Sequence, residues 1–427
     1  MHLISWANLS SSRDKLGELL RKLIHANTVL SNIQTIRFLA NESVQLSGWD
    51  GILECQSDVP WIPSGTSVWE FSSGSSERQK IKDDFGKRRE KDLPSNWDRQ
   101  KTTYVAITLR KLDNISELEN ELKEDSPWLD IRIFDAQSLE EWIEISPTVE
   151  AWLQEQEVGP PPSVHTLPWV WREWSNKTHP SVSNELVLAG RSQNAVDLRK
   201  NLASPGAPIN IQADSPEEAV AFVYSVISSS EDALFRENFL SQSIVIGQNQ
   251  DASRFQSSSA PKNIILRPPA TSESLSLARY GHTVINALGN ESLSQRVDIH
   301  LTRSLRSEFA DALAAMGISK EQADIEARAC GSSPSIWRIW NLLKLGDPGE
   351  NIPNWAKEPH SALVVPAVPL GGWSERAEGD KEIIKTITGV GDTESGPNSD
   401  ILGHAGVEMR MEHCLDFPVK GRAESVR

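Results

Sequence analysis

Three residues in the stretch 48–88 could do chemistry together. Asp50 stands just after one apolar run, Glu70 lies inside a second, and Lys80 heads a charged stretch ten residues on. Two carboxylates delivered by adjacent strands, with a lysine from the next helix, suit the hydrolysis of a phosphodiester. That bond is anionic and a poor electrophile. A bound Mg²⁺ neutralises a non-bridging oxygen and lowers the pKa of the attacking water. Magnesium takes oxygen ligands and keeps several waters, so one or two carboxylates plus the phosphate suffice. A lysine beside them orients the water and offsets the charge that builds up. Glu54, four residues beyond Asp50 on a strand of period two, shares its face and is a candidate extra ligand. Glu18 is a candidate outer one.

The elements that must position these residues read in order. Residues 11–23 carry Leu16, Leu19, Leu20 and Leu23 at helical spacing behind capping serines. Residues 33–39 alternate as a strand. Residues 44–46 and 51–55 flank Asp50 as a second strand broken at Gly48. After a Pro- and Gly-rich turn, 67–71 make a third strand and 77–89 a helix. Residues 103–109 form a strand rich in β-branched side chains. A helix (115–123), a strand (129–134) and a closing helix from 136 to about 156 follow.

The succession α-β-β-β-α-β, then α-β-α, resembles the core of the PD-(D/E)xK restriction-endonuclease-like superfamily, over roughly residues 10–155. In that superfamily an acid near the second core strand and a D/E-x-K on the third bind magnesium. Asp50 matches the first acid and Glu70 the second. Ser72 stands where the lysine would follow. Some members carry that lysine on the next helix, which points to Lys80, or to Lys82; Lys80 lies in the first turn and is preferred. The resemblance implies a Mg²⁺-dependent DNA endonuclease with Asp50 and Glu70 as metal ligands and Lys80 assisting an in-line water attack.

Bland readings stand beside this one. Asp50-Gly51 is also a turn dipeptide, and Glu70 beside Trp69 could be an exposed strand residue. Fifteen tryptophans are many for 427 residues. Trp49, Trp61 and Trp69 bracket the acids and could stack on bases, although core packing explains them as well. The net charge is −16, so the overall field does not attract nucleic acid. From Arg78 to Lys111, however, eleven Lys/Arg face five Asp/Glu, 11 − 5 = +6 locally. A solvated helix face accounts for such a run too. The three cysteines lie far apart with neither metal spacing nor a disulfide framework. No apolar run approaches the ~18 residues of a membrane span, and the N-terminus lacks a secretory pattern. A cytoplasmic protein with no membrane partner is expected; a homo-oligomer is left open.

Residues 1–157 are thus expected as the nuclease-like domain, and 158–184 as a proline- and tryptophan-rich linker. From 185 to 290, runs such as ELVLAG, PINIQ, SIVIG and NIILR alternate with helical patterns, as in a doubly wound parallel sheet. The Ala-Gly-Arg at 189–191 followed by helix and strand resembles the entry to the P-loop module of STAND-type NTPases. Where that family has G-x-x-x-x-G-K-[S/T], the strand 208–212 runs into Ala-Asp-Ser-Pro-Glu-Glu. There is no Gly-Lys pair, and Asp214, Glu217 and Glu218 would repel phosphates. Ser215, Pro216 and Glu218 read instead as a capping box. A P-loop-like α/β domain that binds no ATP is expected, with a helical lid over 291–388 and a disordered tail over 389–427. His282 and His300 read as structural. The fold class is therefore α/β in both parts. By resemblance, such fusions serve prokaryotic antiphage defence, and since members continue into a sensor region, a truncated or naturally shortened member is expected here. The rival reading is a non-catalytic scaffold in which both domains have lost their chemistry.

Overall fold

The computed structural model describes residues 13–344, leaving out 39–47, 58, 73–76, 95–96, 125, 157–163, 204–205, 248–251, 253–254, 256–261, 268–270 and 291–295. The expected strand at 44–46, most of the outer lid region and the tail lie outside the described residues. The fold is α/β, with two mixed sheets. Among the described residues no helix is long and apolar enough to cross a membrane. The chain divides into two compact units, each drawn from separate stretches: 1–169, 230–266 and 270–284 in one, 170–229, 267–269 and 285–427 in the other.

The first unit opens with helix α1 (Arg13–Asn27), then strands β1 (Ile33–Phe38), β2 (Gly51–Cys55) and β3 (Gly65–Ser72). Helix α2 (Glu77–Arg88), β4 (Thr102–Thr108), α3 (Ile115–Lys123), β5 (Asp130–Phe134), α4 (Ala136–Glu144) and α5 (Pro147–Gln154) follow. The expected closing helix is two helices. Pro147 takes the first position of α5, where its missing N–H costs nothing, and so ends α4 before it.

The five strands lie side by side in chain order. β1, β2 and β3 are antiparallel neighbours, while β3, β4 and β5 run parallel. Alternation along β3 decides which side chain faces which helices. Trp69 and Phe71 join a core with Leu16, Leu19, Leu20 and Leu23 of α1 and Leu139 and Trp142 of α4. Val68 joins the other core, with Ile81 and Phe85 of α2, Tyr104 and Ala106 of β4, and Leu118 and Leu122 of α3. Glu70 therefore shares the face that carries α2 and α3.

Helix α1 ends on a buried polar collar supplied by later chain. After β6 (Val164–Thr166) and α6 (Leu167–Ser175), helix α10 (Ala233–Gln242) delivers Asn238 and Gln242, whose amides donate to the carbonyls of His25 and Thr28. Lys262, 1% exposed, donates its ammonium to the carbonyl of Ala26. These groups satisfy carbonyls that the end of a helix leaves open. Burial pushes the Lys262 ammonium down to about 8. In the same unit β6 is antiparallel to β8 (Ser243–Ile246), which runs parallel to β9 (Asn263–Leu266). The stretch expected as a linker thus includes a strand and a helix. His282 is satisfied, accepting from the Lys262 amide and facing the Phe255 carbonyl.

In the second unit the run ELVL, expected as a strand, is the short helix α7 (Asn184–Leu188), capped by Ser183 accepting from the Leu186 amide. Four apolar residues carry too little period to separate strand from helix. Helix α8 (Ser192–Leu202) precedes β7 (Ile209–Gln212), which leads to α9 (Pro216–Ser228). After α11 (Thr271–Arg279), β10 (Thr283–Leu288) and β11 (Ile299–His300) both lie parallel to β7. Helices α12 (Arg306–Ala315), α13 (Lys320–Ala329) and α14 (Pro334–Lys344) complete the described chain.

Ser215 caps α9 as expected, accepting from the Glu218 amide at 3.2 Å. The box, however, is not closed. The Glu218 carboxylate, fully buried, pairs with the buried guanidinium of Arg191 and accepts from the Ser335 amide. Asp214 takes Arg303 Nε at 2.8 Å and Asn290 Nδ2 at 3.0 Å. Burial raises its carboxyl, but hydrogen bonds from Arg303, Ser333 and Asn290 outweigh that and hold it below the usual range. Glu217 pairs with Arg267 at 3.0 Å. All three acids at the end of β7 are thus engaged by the unit's own side chains.

Candidate active site

The sheet register brings Asp50 and Glu70 together. Gly51 is opposite Trp69, so Asp50, one residue before β2, stands beside Glu70 and Phe71. There Asp50 Oδ2 accepts the Phe71 amide at 2.7 Å. This amide faces β2 just where β2 begins, and the carboxylate takes the place of a ladder carbonyl. Gly51 is needed at that point, because a Cβ there would overlap the Phe38 ring.

Glu70 is not an exposed strand residue: it is 7% exposed. Its neighbours on that face are aromatic. Tyr104 packs against Phe85 at 5.3 Å and Trp128 at 5.7 Å between ring centroids, and Trp49 against Trp128 at 5.8 Å. Burial in this setting, and next the charge of Asp50, push the Glu70 carboxyl up to about 7, against the opposing pull of Arg88 and Lys91. Burial likewise raises the Tyr104 phenol, and the charge of Glu70 adds to it.

The cations at this pair come from the end of α2 and the turn after it. Arg88 Nη2 donates to Glu70 Oε2 at 2.9 Å, and its Nε lies 2.8 Å from Oε1. The second contact is an ion pair without hydrogen-bond alignment, so buried Oε1 accepts no hydrogen bond among the described residues, although the guanidinium covers it. Lys91 donates to the Gly48 carbonyl. Burial and the neighbouring Arg88 lower its ammonium, while Glu70 and Asp50 oppose that shift. Both cations lie over the Trp49 ring, at 5.6 and 5.3 Å from its centroid. The Trp49 indole N–H donates to the Asp92 carbonyl at 3.0 Å. The triplet Gly48-Trp49-Asp50 is thereby tied to residues 88–92.

Lys80 sits elsewhere on α2. It precedes Arg88 by eight residues, about 12 Å along a helix axis, and no hydrogen bond or ion pair joins it to Asp50 or Glu70. Lys82 pairs with Glu121 of α3, and Arg78 with Glu117 at 3.5 Å. The first half of α2 therefore turns toward α3 and its last residue toward the acids. Glu54 lies about 13 Å from Asp50 along the strand by the ordinary rise, too far to share one ion. Glu18 belongs to α1, on the opposite face of the sheet, and pairs with Lys22 at 3.7 Å. Of the bracketing tryptophans, Trp69 is fully buried and Trp61 stacks on Trp142 in the other core. Trp49 alone of the three lies beside the acids.

In the sequence Arg88 and Lys91 belong to the basic segment, and nothing in their spacing puts them at the acids. The signal was present in KRREK at 87–91, where the helix pattern runs out into cations.

The donor set fits a hard divalent cation. It offers two carboxylates at neighbouring strand positions: Glu70, whose oxygens are both covered by Arg88, and Asp50, whose second oxygen is free of hydrogen bonds to described residues. Among the described residues there is no group of three or more His, Cys, Asp or Glu that could hold a metal. A cation here would rest on the pair and on its own waters or substrate oxygens. Comparison with protein families, curated proteins and solved structures found no match for this chain.

Proposed function

We propose that the first unit is a metal-dependent phosphodiesterase acting on DNA, with Asp50 and Glu70 as ligands of a magnesium ion. One observation carries the reading: the strand register sets the buried Glu70 carboxyl, 7% exposed, beside the Asp50 carboxylate, and burial and that neighbour raise it. Mutual repulsion of two adjacent acids costs the fold stability, and paired acids with displaced pKa values are concentrated where chemistry is done. The ion would supply Lewis acidity toward a phosphate oxygen and an acidified water.

The chain's own residues do the rest. Asp50 is fixed by the Phe71 amide, so its carboxylate cannot swing away from Glu70. Arg88 and Lys91 offset the negative charge of a phosphodiester brought against the acids. Trp49 holds both cations on its ring face and keeps water from one side of them. Lys80 and Lys82 stay with this proposal as contacts to a strand along α2. The basic run from Arg78 to Lys111 supports a polyanion as the substrate class. A role as effector in prokaryotic defence belongs to the same proposal and rests on the resemblance alone.

The experiment is cleavage of plasmid DNA with Mg²⁺ by the wild type, Asp50→Asn and Glu70→Gln. Cleavage by the wild type and its loss in both variants supports the reading. Cleavage that survives both substitutions removes it.

A second reading is favoured by a specific observation. Arg88 occupies both Glu70 oxygens, as a structural ion pair in a non-catalytic scaffold would. On that reading none of the three proteins cleaves, and none binds Mg²⁺.

A further inference from the structure

We propose that Arg88 is a latch on the acid pair: it holds Glu70 until a phosphodiester takes its guanidinium, and that exchange frees Glu70 for the cation. The inference rests on the phosphodiesterase reading and adds to it how the site is switched.

The geometry sets the order of events. The Arg88 side chain is 27% exposed and the Glu70 side chain 9%. A strand arriving from solvent therefore reaches the guanidinium before it reaches the carboxylate. Arg88 is the last residue of α2, so its side chain can turn outward without disturbing a following helical turn. Its second contact, over the Trp49 ring at 5.6 Å, does not involve Glu70 and remains available after Glu70 is released. The chemistry of the swap is nearly symmetrical. Guanidinium binds carboxylate and phosphate oxygens with the same paired N–H groups. What cannot persist is the half-way state, a buried Glu70 charge with no partner. Departure of the guanidinium must be matched by arrival of a cation or of a proton.

Binding of polyanion and binding of cation are then linked, and linkage is reciprocal. Duplex raises the affinity for the cation, and the cation raises the affinity for duplex by the same factor. Lys91 does not serve this role, because its ammonium is engaged by the Gly48 carbonyl and makes no ion pair with Glu70.

The test is calorimetric titration of Mg²⁺ into the full chain, without DNA, for wild type, Arg88→Gln and Lys91→Gln. A second measurement needs no variant: Mg²⁺ titrated into the wild type bound to a short phosphorothioate duplex, with the duplex alone subtracted. The latch requires Arg88→Gln to bind Mg²⁺ about tenfold more tightly than wild type or better, and Lys91→Gln to gain much less. It also requires bound duplex to tighten Mg²⁺ binding to the wild type by a comparable factor. Equal gains in the two variants reduce the effect to the general field and overturn the latch. Mg²⁺ binding that is indifferent both to Arg88→Gln and to duplex overturns it while leaving the site reading in place. No Mg²⁺ binding by any of the proteins, with or without duplex, overturns the site reading and the latch together.

Discussion

Glu70→Gln should stabilise the protein at neutral pH while removing its activity. The magnitude follows from the burial of the carboxyl beside Asp50, which moves it from 4.5 to about 7. Below about pH 4.5 the acid is protonated in the folded and unfolded chain alike, and wild type and variant should be equally stable. Between 4.5 and 7 the unfolded chain gives up a proton that the folded chain keeps. Stability therefore falls as pH rises across that window. The full displacement is worth roughly 3 kcal/mol, an upper value because Arg88 can adjust around the charge. The contribution present at pH 4.5 is gone by pH 8. Glutamine has the shape of the protonated acid and its oxygen can still accept from Arg88, so the variant should lack the slope. The assay is urea denaturation at pH 4.5, 6 and 8 without divalent ions, read by hydrogen exchange of β3 so that only this unit reports. The variant should gain on the wild type by up to roughly 3 kcal/mol between pH 4.5 and 8. A constant difference, or a wild type more stable than the variant at pH 8, would refute the argument that Glu70 is a strained acid.

Other outcomes follow from residues away from the acids. Lys262→Met should be least harmful at neutral pH. The buried ammonium binds its proton less firmly in the folded chain, so wild-type stability rises as pH climbs from about 8 toward 10.5, whereas the variant's should not; parallel pH profiles would contradict this. Arg191→Ala should cost about 3–5 kcal/mol by leaving the Glu218 charge buried and alone, and Arg191→Met with Glu218→Leu should cost much less; thermal unfolding of the three proteins tests the order. Gly51→Ala should destabilise the first unit by about 1–3 kcal/mol, since the new methyl must displace the Phe38 ring, and hydrogen exchange of β2 and β3 would show it. Trp49→Ala should weaken duplex binding at low salt and loosen residues 88–92, which exchange protection of that segment would report.

Much of the first unit was legible because its pattern is local. β-Branched runs give β1, β4 and β5 to within a residue at each end, and β3 to within two; the leucines place α1, which runs four residues past its expected end. Asp50 and Glu70 were legible as acids at the ends of apolar runs. Their meeting is a matter of register, Gly51 against Trp69, which no local pattern shows. The cations were the harder part. Lys80 is closer in sequence to Glu70, but the helix carries Arg88 to it, and one helix end is not distinguishable from the other by composition. Glu218 makes the same point in the second unit. Its spacing from Ser215 satisfies a capping box, yet Arg191, 27 residues away, offers a buried charge partner that outcompetes the neutral Ser215 amide. ELVL was misread because a four-residue apolar run has no period to speak of. Local signals place the elements; long-range charge pairing decides what their polar side chains do.

The most direct test of the central claim is the Mg²⁺ dependence of DNA cleavage by purified full-length protein and its Asp50→Asn and Glu70→Gln variants, both confirmed as folded by hydrogen exchange. The account predicts cleavage by the wild type that requires Mg²⁺ and disappears in each variant. Wild-type protein that leaves DNA intact at every Mg²⁺ concentration, or variants that cut as well as the wild type, would contradict it.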